Sequence, residues 1–325
     1  MAAVTLAESK KNTTDDIDLA VIDEFIKSDW FLSNVQFDDA VNPAGGGGTL
    51  TYGYTRLVTE RGASIRDYGS DMPAEQAAVR QRYSVDLVPI DGTYKVDRDL
   101  AGLGPAATNE VAFQSQQAIK AVRAKFNETM IDGARQTGGN GFDGLDAALA
   151  GSTTEIATGP DLSQAAVSTE IKAHDAIDAL DEFLSLLNGT ATALVTNAKG
   201  VLRLRSLARR AGYYEREKDE FGRQVESYSG VPFVDLGAKS GSSAPVIPVD
   251  TTSTPGSSLV DIYAVRLGLD GFHGVFTNGG NLVKNWLPDF ETPGPIKPGE
   301  VAMGPIALAL KATKAAGVLR NVKVA

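Results

Sequence analysis

Between residues 49 and 97 two alternating apolar runs flank a charged segment that holds almost nothing to bury. Leu50, Tyr52 and Tyr54 alternate with small polar residues, and Tyr83, Val85 and Leu87 alternate on the way back. A period of two marks a strand with one covered face. The segment between, Glu60 to Arg82, carries Arg61, Arg66, Asp67, Asp71, Glu75 and Arg80 but few bulky apolar side chains. The layout predicts a long β-hairpin arm with a polar tip. Two strands alone are only marginally stable in water. The arm must therefore rest on something, either its own domain or a neighbouring subunit, and any fold for this chain has to provide that support.

Around the arm, helical and strand patterns alternate irregularly. Residues 1–13 read as a polar tail. Thr14 or Asp15 can cap a short helix with Ile17, Val21 and Phe25 on one face. Trp30 to Phe37 reads as extended, and Asn42-Pro43-Ala44 with Gly45, Gly46, Gly47 and Gly48 reads as a hinge. After Pro105 the longest helix starts near Thr108 or Asn109. Val111, Ser115, Ala118, Ile119, Val122, Phe126 and Met130 trace its apolar stripe, and Gly133 ends it, giving about 35 Å of helix. A second helix runs through Val167, Ile171, Ile177, Leu180, Leu184 and Leu187 to the stop at Asn188-Gly189. Leu194-Val195 suits a short strand, and Asn197 caps a third helix through Leu202, Leu204 and Leu207. Strands are expected at Val231 to Val234 and Ile262 to Leu269, with a Ser/Gly/Pro/Thr-rich loop from Lys239 to Ser258 between them. Past Pro288 to Pro298, Ile306 to Val324 suits a closing strand or strand pair. Without a regular βαβ rhythm, this order predicts an α+β fold rather than a doubly wound sheet.

Composition narrows the function classes. Over 325 residues, 42% hydrophobic and 22% charged side chains are what a folded, core-forming chain needs. A formal charge of -10 disfavours wrapping nucleic acid through many phosphate contacts. Zero cysteines exclude disulfides and thiolate metal sites. The start of the chain has no long apolar stretch of the secretory type, and no segment approaches the roughly 18 apolar residues of a membrane span. Gly139 to Gly144 matches G-x-G-x-x-G, but it follows a long helix and precedes a helical turn of Leu145 to Leu149, the wrong setting for a dinucleotide. Gly45 to Gly48 lacks the Lys-Ser/Thr that completes a phosphate loop. His174 and His273 are not at ligand spacing, and Asp175, Asp178, Asp181 and Glu182 read as a solvated helix face. Arg203, Arg205, Arg209 and Arg210 read as partners of acidic neighbours or as an interface rather than a DNA site. No catalytic, cofactor-binding or metal-binding set converges, and an enzyme is not expected.

Taken in order, these segments resemble the major capsid proteins of tailed double-stranded-DNA phages, with the HK-97-type fold, over nearly the whole chain. Met1 to Gly48 resembles the N-arm, Thr49 to about Asp91 the extended E-loop, and Thr93 to Leu100 its return. Asn109 to Gly133 resembles the spine helix of the peripheral domain, and Phe142-Asp143-Gly144-Leu145 a motif common after it. Leu194 to Asn197, Leu202 to Tyr214, Gly230 to Val234 and Asp261 to Val265 resemble axial-domain segments. The resemblance implies an N-arm over 1–48, an E-loop over 49–92, a peripheral domain over 93–145, an axial domain over 146–290 and a return over 291–325. It implies hexamers and pentamers closing into an icosahedral head, in the virion, assembled in the host cytoplasm. Expected partners are other copies of the chain, a separate scaffolding protein, a portal, a decoration protein, and packaged DNA through weak lumenal contact. Arg61, Arg66, Asp67, Asp71, Glu75 and Arg80 would pair across subunits, and Gly45 to Gly48 would let the N-arm take different paths. Some members weld the shell through an E-loop lysine, yet residues 49–94 contain none and Lys95 comes only at the base. Non-covalent closure is expected, as is an intact N-terminus, since only about 48 residues precede the arm. The alternative within the fold is an encapsulin-like compartment shell.

Overall fold

The described residues fold around two sheets, with the arm as a third. The computed structural model describes residues 30–40, 47–71, 77–101, 110–135, 141–212, 215–218, 224–252, 258–277 and 282–325. The elements run α1 (Trp30–Asn34), β1 (Phe37–Ala40), β2 (Thr51–Thr59), β3 (Val79–Asp86), β4 (Val88–Asp97), α2 (Arg98–Ala101) and α3 (Glu110–Asp132). There follow α4 (Leu145–Leu149), β5 (Glu155–Ile156), α5 (Glu170–Ser185), β6 (Ala193–Thr196), α6 (Ala198–Arg210), β7 (Glu215–Lys218), β8 (Gln224–Tyr228) and β9 (Val231–Asp235). The chain closes with β10 (Leu259–Val265), β11 (Phe272–Thr277), β12 (Val283–Trp286), β13 (Ile296–Leu310) and β14 (Ala316–Lys323). The helix expected near Ile17 to Phe25 lies outside the described residues.

The first sheet is organised by β13. Its Met303 pairs with both Ile90 and Val283, and its Ile306 with both Val88 and Phe276, so β4 lies along one edge and β12 then β11 along the other. β1 adds to β11 in parallel. β13 starts ten residues before the expected strand and contains Pro298 and Pro305. Side chains alternate inward and outward over its first half, then all are buried from Ile306 to Leu310. Pro305 is tolerated because the register slips between Met303 and Ile306. Gly304 there has φ +103, and a Cβ on it would stand 2.6 Å from the Ile306 nitrogen. α3 packs on β4 and β13. It buries Ala118, Val122, Phe126, Met130 and Ile131, most of the stripe read from the sequence.

The second sheet has the order β5-β14-β10-β6-β9-β8-β7. α5 and α6 pack on each other, α6 against β9 and β10, and α5 against β14. Both helices begin at side-chain caps: Thr169 Oγ1 accepts from Lys172 N, and Asn197 Oδ1 accepts from Gly200 N at 2.9 Å. Sheet membership departs from the expected segment boundaries. The chain leaves the second sheet after β10, well before residue 290, and β14 returns to pair with β10 instead of staying with β13. Trp30 to Asn34 is helical, not extended. Val35 N donates to Phe31 O at 2.7 Å, and Phe31 and Val35, four residues apart, are both buried. The hairpin β7–β8 and the strands β11 and β12 had no distinct signal in the sequence pattern.

The arm and its seat as a candidate assembly surface

The arm is the antiparallel pair β2–β3, in register from Thr51 opposite Asp86 to Leu57 opposite Arg80, with a one-residue slip before Thr59 opposite Val79. Along β2, Tyr52, Tyr54 and Arg56 are half-buried while Thr51, Gly53 and Thr55 are exposed. One face of the root therefore lies on the subunit's own body, which answers half of the question left by the sequence. From Leu57 outward and back to Arg82, every described residue except Thr59 is exposed. Ile65 and Tyr68 stand fully in solvent.

The seat is built from four places in the chain. Tyr52 Oη donates to Asp38 Oδ2 on β1 at 2.7 Å, and Lys311 Nζ, just past β13, lies 3.5 Å from the same carboxylate. The Tyr52 ring meets His273 of β11 edge to face at 6.0 Å, with the Lys311 ammonium 5.4 Å from the ring centre. Further out, Arg56 Nε donates to Lys311 O and Nη1 to Thr313 Oγ1, each at 3.1 Å, and Nη2 donates to Leu310 O. The Arg56 guanidinium lies 4.4 Å from the centre of the Tyr83 ring, which stacks on Tyr54 at 5.8 Å. A planar fork satisfied by fixed carbonyls and stacked on an aromatic is a task for arginine rather than lysine. Beneath the arm, a cleft of about 870 Å³ opens between Thr55 to Val58 and Tyr83 on one side and Ala148, Ala150 to Thr153, Asn188 and Thr313 on the other.

The seat's electrostatics follow from partial burial. The Tyr52 hydrogen bond holds Asp38 below the usual carboxylate range against the opposing pull of burial, with Lys311 assisting. Burial, then Asp38, pushes the Tyr52 phenol up. Burial pulls the Lys311 ammonium down, but Tyr52 and Asp38 outweigh it and leave it raised. Burial and then Lys311 pull His273 down to about 4.

The residues singled out in the sequence fall mostly on the exposed tip. Arg61, Arg66, Asp67, Asp71 and Arg80 are exposed, and Glu75 lies outside the described residues. Arg66 Nη1 donates to Ser70 O at 2.8 Å and Ser70 Oγ to Asp67 O at 2.8 Å, closing a local turn. Arg80 stands opposite Leu57 in the hairpin. Gly45 and Gly46 lie outside the described residues. Gly47 has φ +91, while Gly48 lies against Thr277 and Thr49 N donates to Ala40 O at 3.0 Å, so the hinge is pinned where it meets the arm. Asp38, Arg56 and Lys311 were not singled out by sequence reasoning, and His273 was weighed only as a metal ligand. Arg56 was within reach, since 52, 54 and 56 share one strand face.

Other sequence features resolve into packing. Within Gly139 to Gly144, the first two residues lie outside the described set. Gly144 N donates to Gly133 O at 2.7 Å, and a Cβ on Gly133 would stand 2.2 Å from Phe142 O. Phe142 is buried, so this turn seals the end of α3. Arg203 donates to Val324 O, Arg205 pairs with Glu226, and Arg210 donates to Gln164 O and Val167 O. Asp175, Asp178, Asp181 and Glu182 are exposed on α5, with Asp181 accepting from Tyr228 Oη at 2.8 Å. Among the described residues no cluster of His, Asp and Glu is arranged to hold a metal ion, and no helix is long and apolar enough to cross a membrane.

No family model matches the chain, and no curated protein matches it. Solved structures do. The capsid of the native GTA particle superposes with a TM-score of 0.64 at 15% identity, covering 99% of each chain. The holo-SrpI encapsulin complex from Synechococcus elongatus gives 0.63 at 15% identity over 99% of this chain and 97% of that one. The capsid of Myoviridae phage XM1 gives 0.57 at 14% identity over 99% of this chain and all of that one. At such identities the likeness lies in the backbone path. The chain has the α+β fold of HK-97-type capsids and encapsulins.

Proposed function

We propose that the chain is the major capsid protein of a tailed double-stranded-DNA phage, assembling as hexamers and pentamers into an icosahedral head. Its role is structural rather than catalytic. The observation that carries this reading is the division of the arm. A seated root holds direction, while an outer part with Ile65 and Tyr68 fully exposed has none of the described residues of its own subunit to lie on. Apolar side chains presented this way mark a contact surface. In a shell the tip would cover an adjacent subunit, where Arg61, Arg66, Asp67, Asp71, Glu75 and Arg80 would meet partners. Exposed pairs contribute only about 0–1 kcal/mol each, so their service is register rather than strength. The fold's likeness to both phage capsids and an encapsulin supports a shell in either case.

In this reading, residues 1–48 are the N-arm hinged at Gly45 to Gly48, 49–92 the E-loop, and 93–145 with 291–325 the peripheral domain. Residues 146–290 hold most of the axial domain, to which sheet membership adds β14. A separate scaffolding protein, a portal and a decoration protein would be partners. DNA would touch the lumen weakly, consistent with a charge of -10. Assembly would take place in the host cytoplasm and the product would be the virion head.

Negative-stain electron microscopy with light scattering on the purified protein, with and without a co-expressed scaffold, tests this. Closed shells, rings or tubes of megadalton mass are expected. A stable monomer or dimer under both conditions at high concentration would sink the proposal. Shells that load a cargo protein instead of DNA would move the assignment to an encapsulin-like compartment.

A further inference from the structure

His273 is fully buried at the root of the arm. Neither ring nitrogen makes a hydrogen bond of ordinary geometry with a described residue. A buried imidazole normally finds at least one partner. Here the ring is held mainly by packing, with the Gly271 backbone beside it, beneath the Tyr52 edge and within the field of titratable neighbours from the elements around it. These are Asp38 on β1, Tyr52 on β2, Asp270 in the loop before β11, and Lys311 past β13. Asp270 is already engaged by Arg266 at 2.9 Å, and Asp38 by Tyr52 and Lys311. Neither of these two carboxylates is left to pair with a second cation at this spot.

We propose that His273 is an acid-sensitive latch on the arm: neutral, it lets the root of β2 lie on the body, and protonated, it drives the root off. A proton on the ring places a charge in a closed pocket beside the Lys311 ammonium. Lifting Tyr52 away opens the ring to water and relieves both costs. The direction follows from linkage. With the arm seated, the ring titrates near 4; with the arm lifted, it titrates near the ordinary value of about 6.5. Between those values the lifted state binds more protons, so seating is fully stable above about pH 6.5 and weakens as pH falls towards 4. Full coupling would weaken seating about tenfold per pH unit, or about 300-fold across the window. Asp38 acts the same way at lower pH, because its depressed titration means its contribution is lost only at the acid end. The latch operates within a single subunit and is independent of shell formation.

Hydrogen exchange of the unassembled full chain, corrected for the intrinsic pH dependence of exchange, reads the seating of β2. Protection of the Tyr52 to Arg56 amides is expected to fall by up to about tenfold per unit between pH 6.5 and 4 in the wild type. In His273→Gln it is expected to stay flat. A wild-type slope in that variant, or a wild type whose protection does not change over the window, would overturn the latch. Should the variant fail to fold, the wild type suffices, because the chain has only two histidines. Histidine-labelled NMR, assigned through the His273→Gln spectrum or by sequential assignment, should show His273 titrating near 4. A titration of His273 near the ordinary value of about 6.5 would equally overturn the proposal.

Discussion

At the scale of single residues, charged groups facing inward are those that simple patterning misplaces. Arg320 lies on β14, where alternation alone would leave an arginine to solvent. Its side chain instead reaches Asp146 of α4, Glu155 of β5 and Asp261 of β10, tying four elements together. Arg320 holds Glu155 below the usual carboxylate range, while burial pushes Asp261 up despite the same partner. Arg320→Met would leave three carboxylates facing one another. A loss of about 2–3 kcal/mol in denaturant unfolding at neutral pH is expected, less than for a fully buried pair because the side chain is one-fifth exposed. The deficit should shrink as pH falls into the acid range, where Asp261, already raised, takes a proton before an ordinary carboxylate would and removes part of the repulsion. An equal deficit at neutral and acid pH would contradict this account. Lys297 is a second inward cation, on β13. It folds back so that Nζ donates to Thr292 Oγ1 at 2.8 Å and to Pro293 O at 3.1 Å, and so closes its own loop.

At the scale of elements, the arm was the most legible feature and also the least complete. Alternation at Leu50, Tyr52 and Tyr54 and at Tyr83, Val85 and Leu87 announced two strands, and the structure extends them to Thr59 and back to Val79. The sequence left open what the arm rests on, because that depends on Asp38, His273 and Lys311, residues from distant parts of the chain. Since the described residues of the tip are all exposed, replacing residues 60–78 with a short Gly/Ser turn should leave the thermal midpoint within about 2 °C. The same variant should lose closed particles in microscopy. A large fall in the midpoint would show that the tip supports the fold of its own subunit. β13 was under-read for a definite reason. Pro298 and Pro305 argue against a strand, yet a register slip at Gly304 absorbs Pro305.

At the scale of the whole molecule, the absence of lysine from residues 49–94 bears on how a shell would hold together. Closure would be non-covalent through the arm, so mature particles boiled in denaturant should run as a single monomer band. A ladder of covalent multimers would contradict that. Contacts of this kind depend on screened surface charge and exposed apolar groups, and assembly should therefore respond to ionic strength.

The helices and most strands were readable because each depends on local rules. The apolar stripe of α3, the Asn197 cap of α6 and the alternation of the arm act over a few residues, and so survive in a bare sequence. Order and composition further pointed to a mixed fold with no converging chemistry. Other features were decided only when distant segments met. The helix at Trp30 to Asn34 forms where Phe31 and Val35 find a core. β14 joins β10 rather than β13 because its partners lie some fifty residues back. The arm acquires its direction from a tyrosine, a carboxylate, a lysine and a buried histidine that share nothing in sequence. Burial and field strength at such a seat are properties of the assembled fold, since they depend on how much water the other elements exclude.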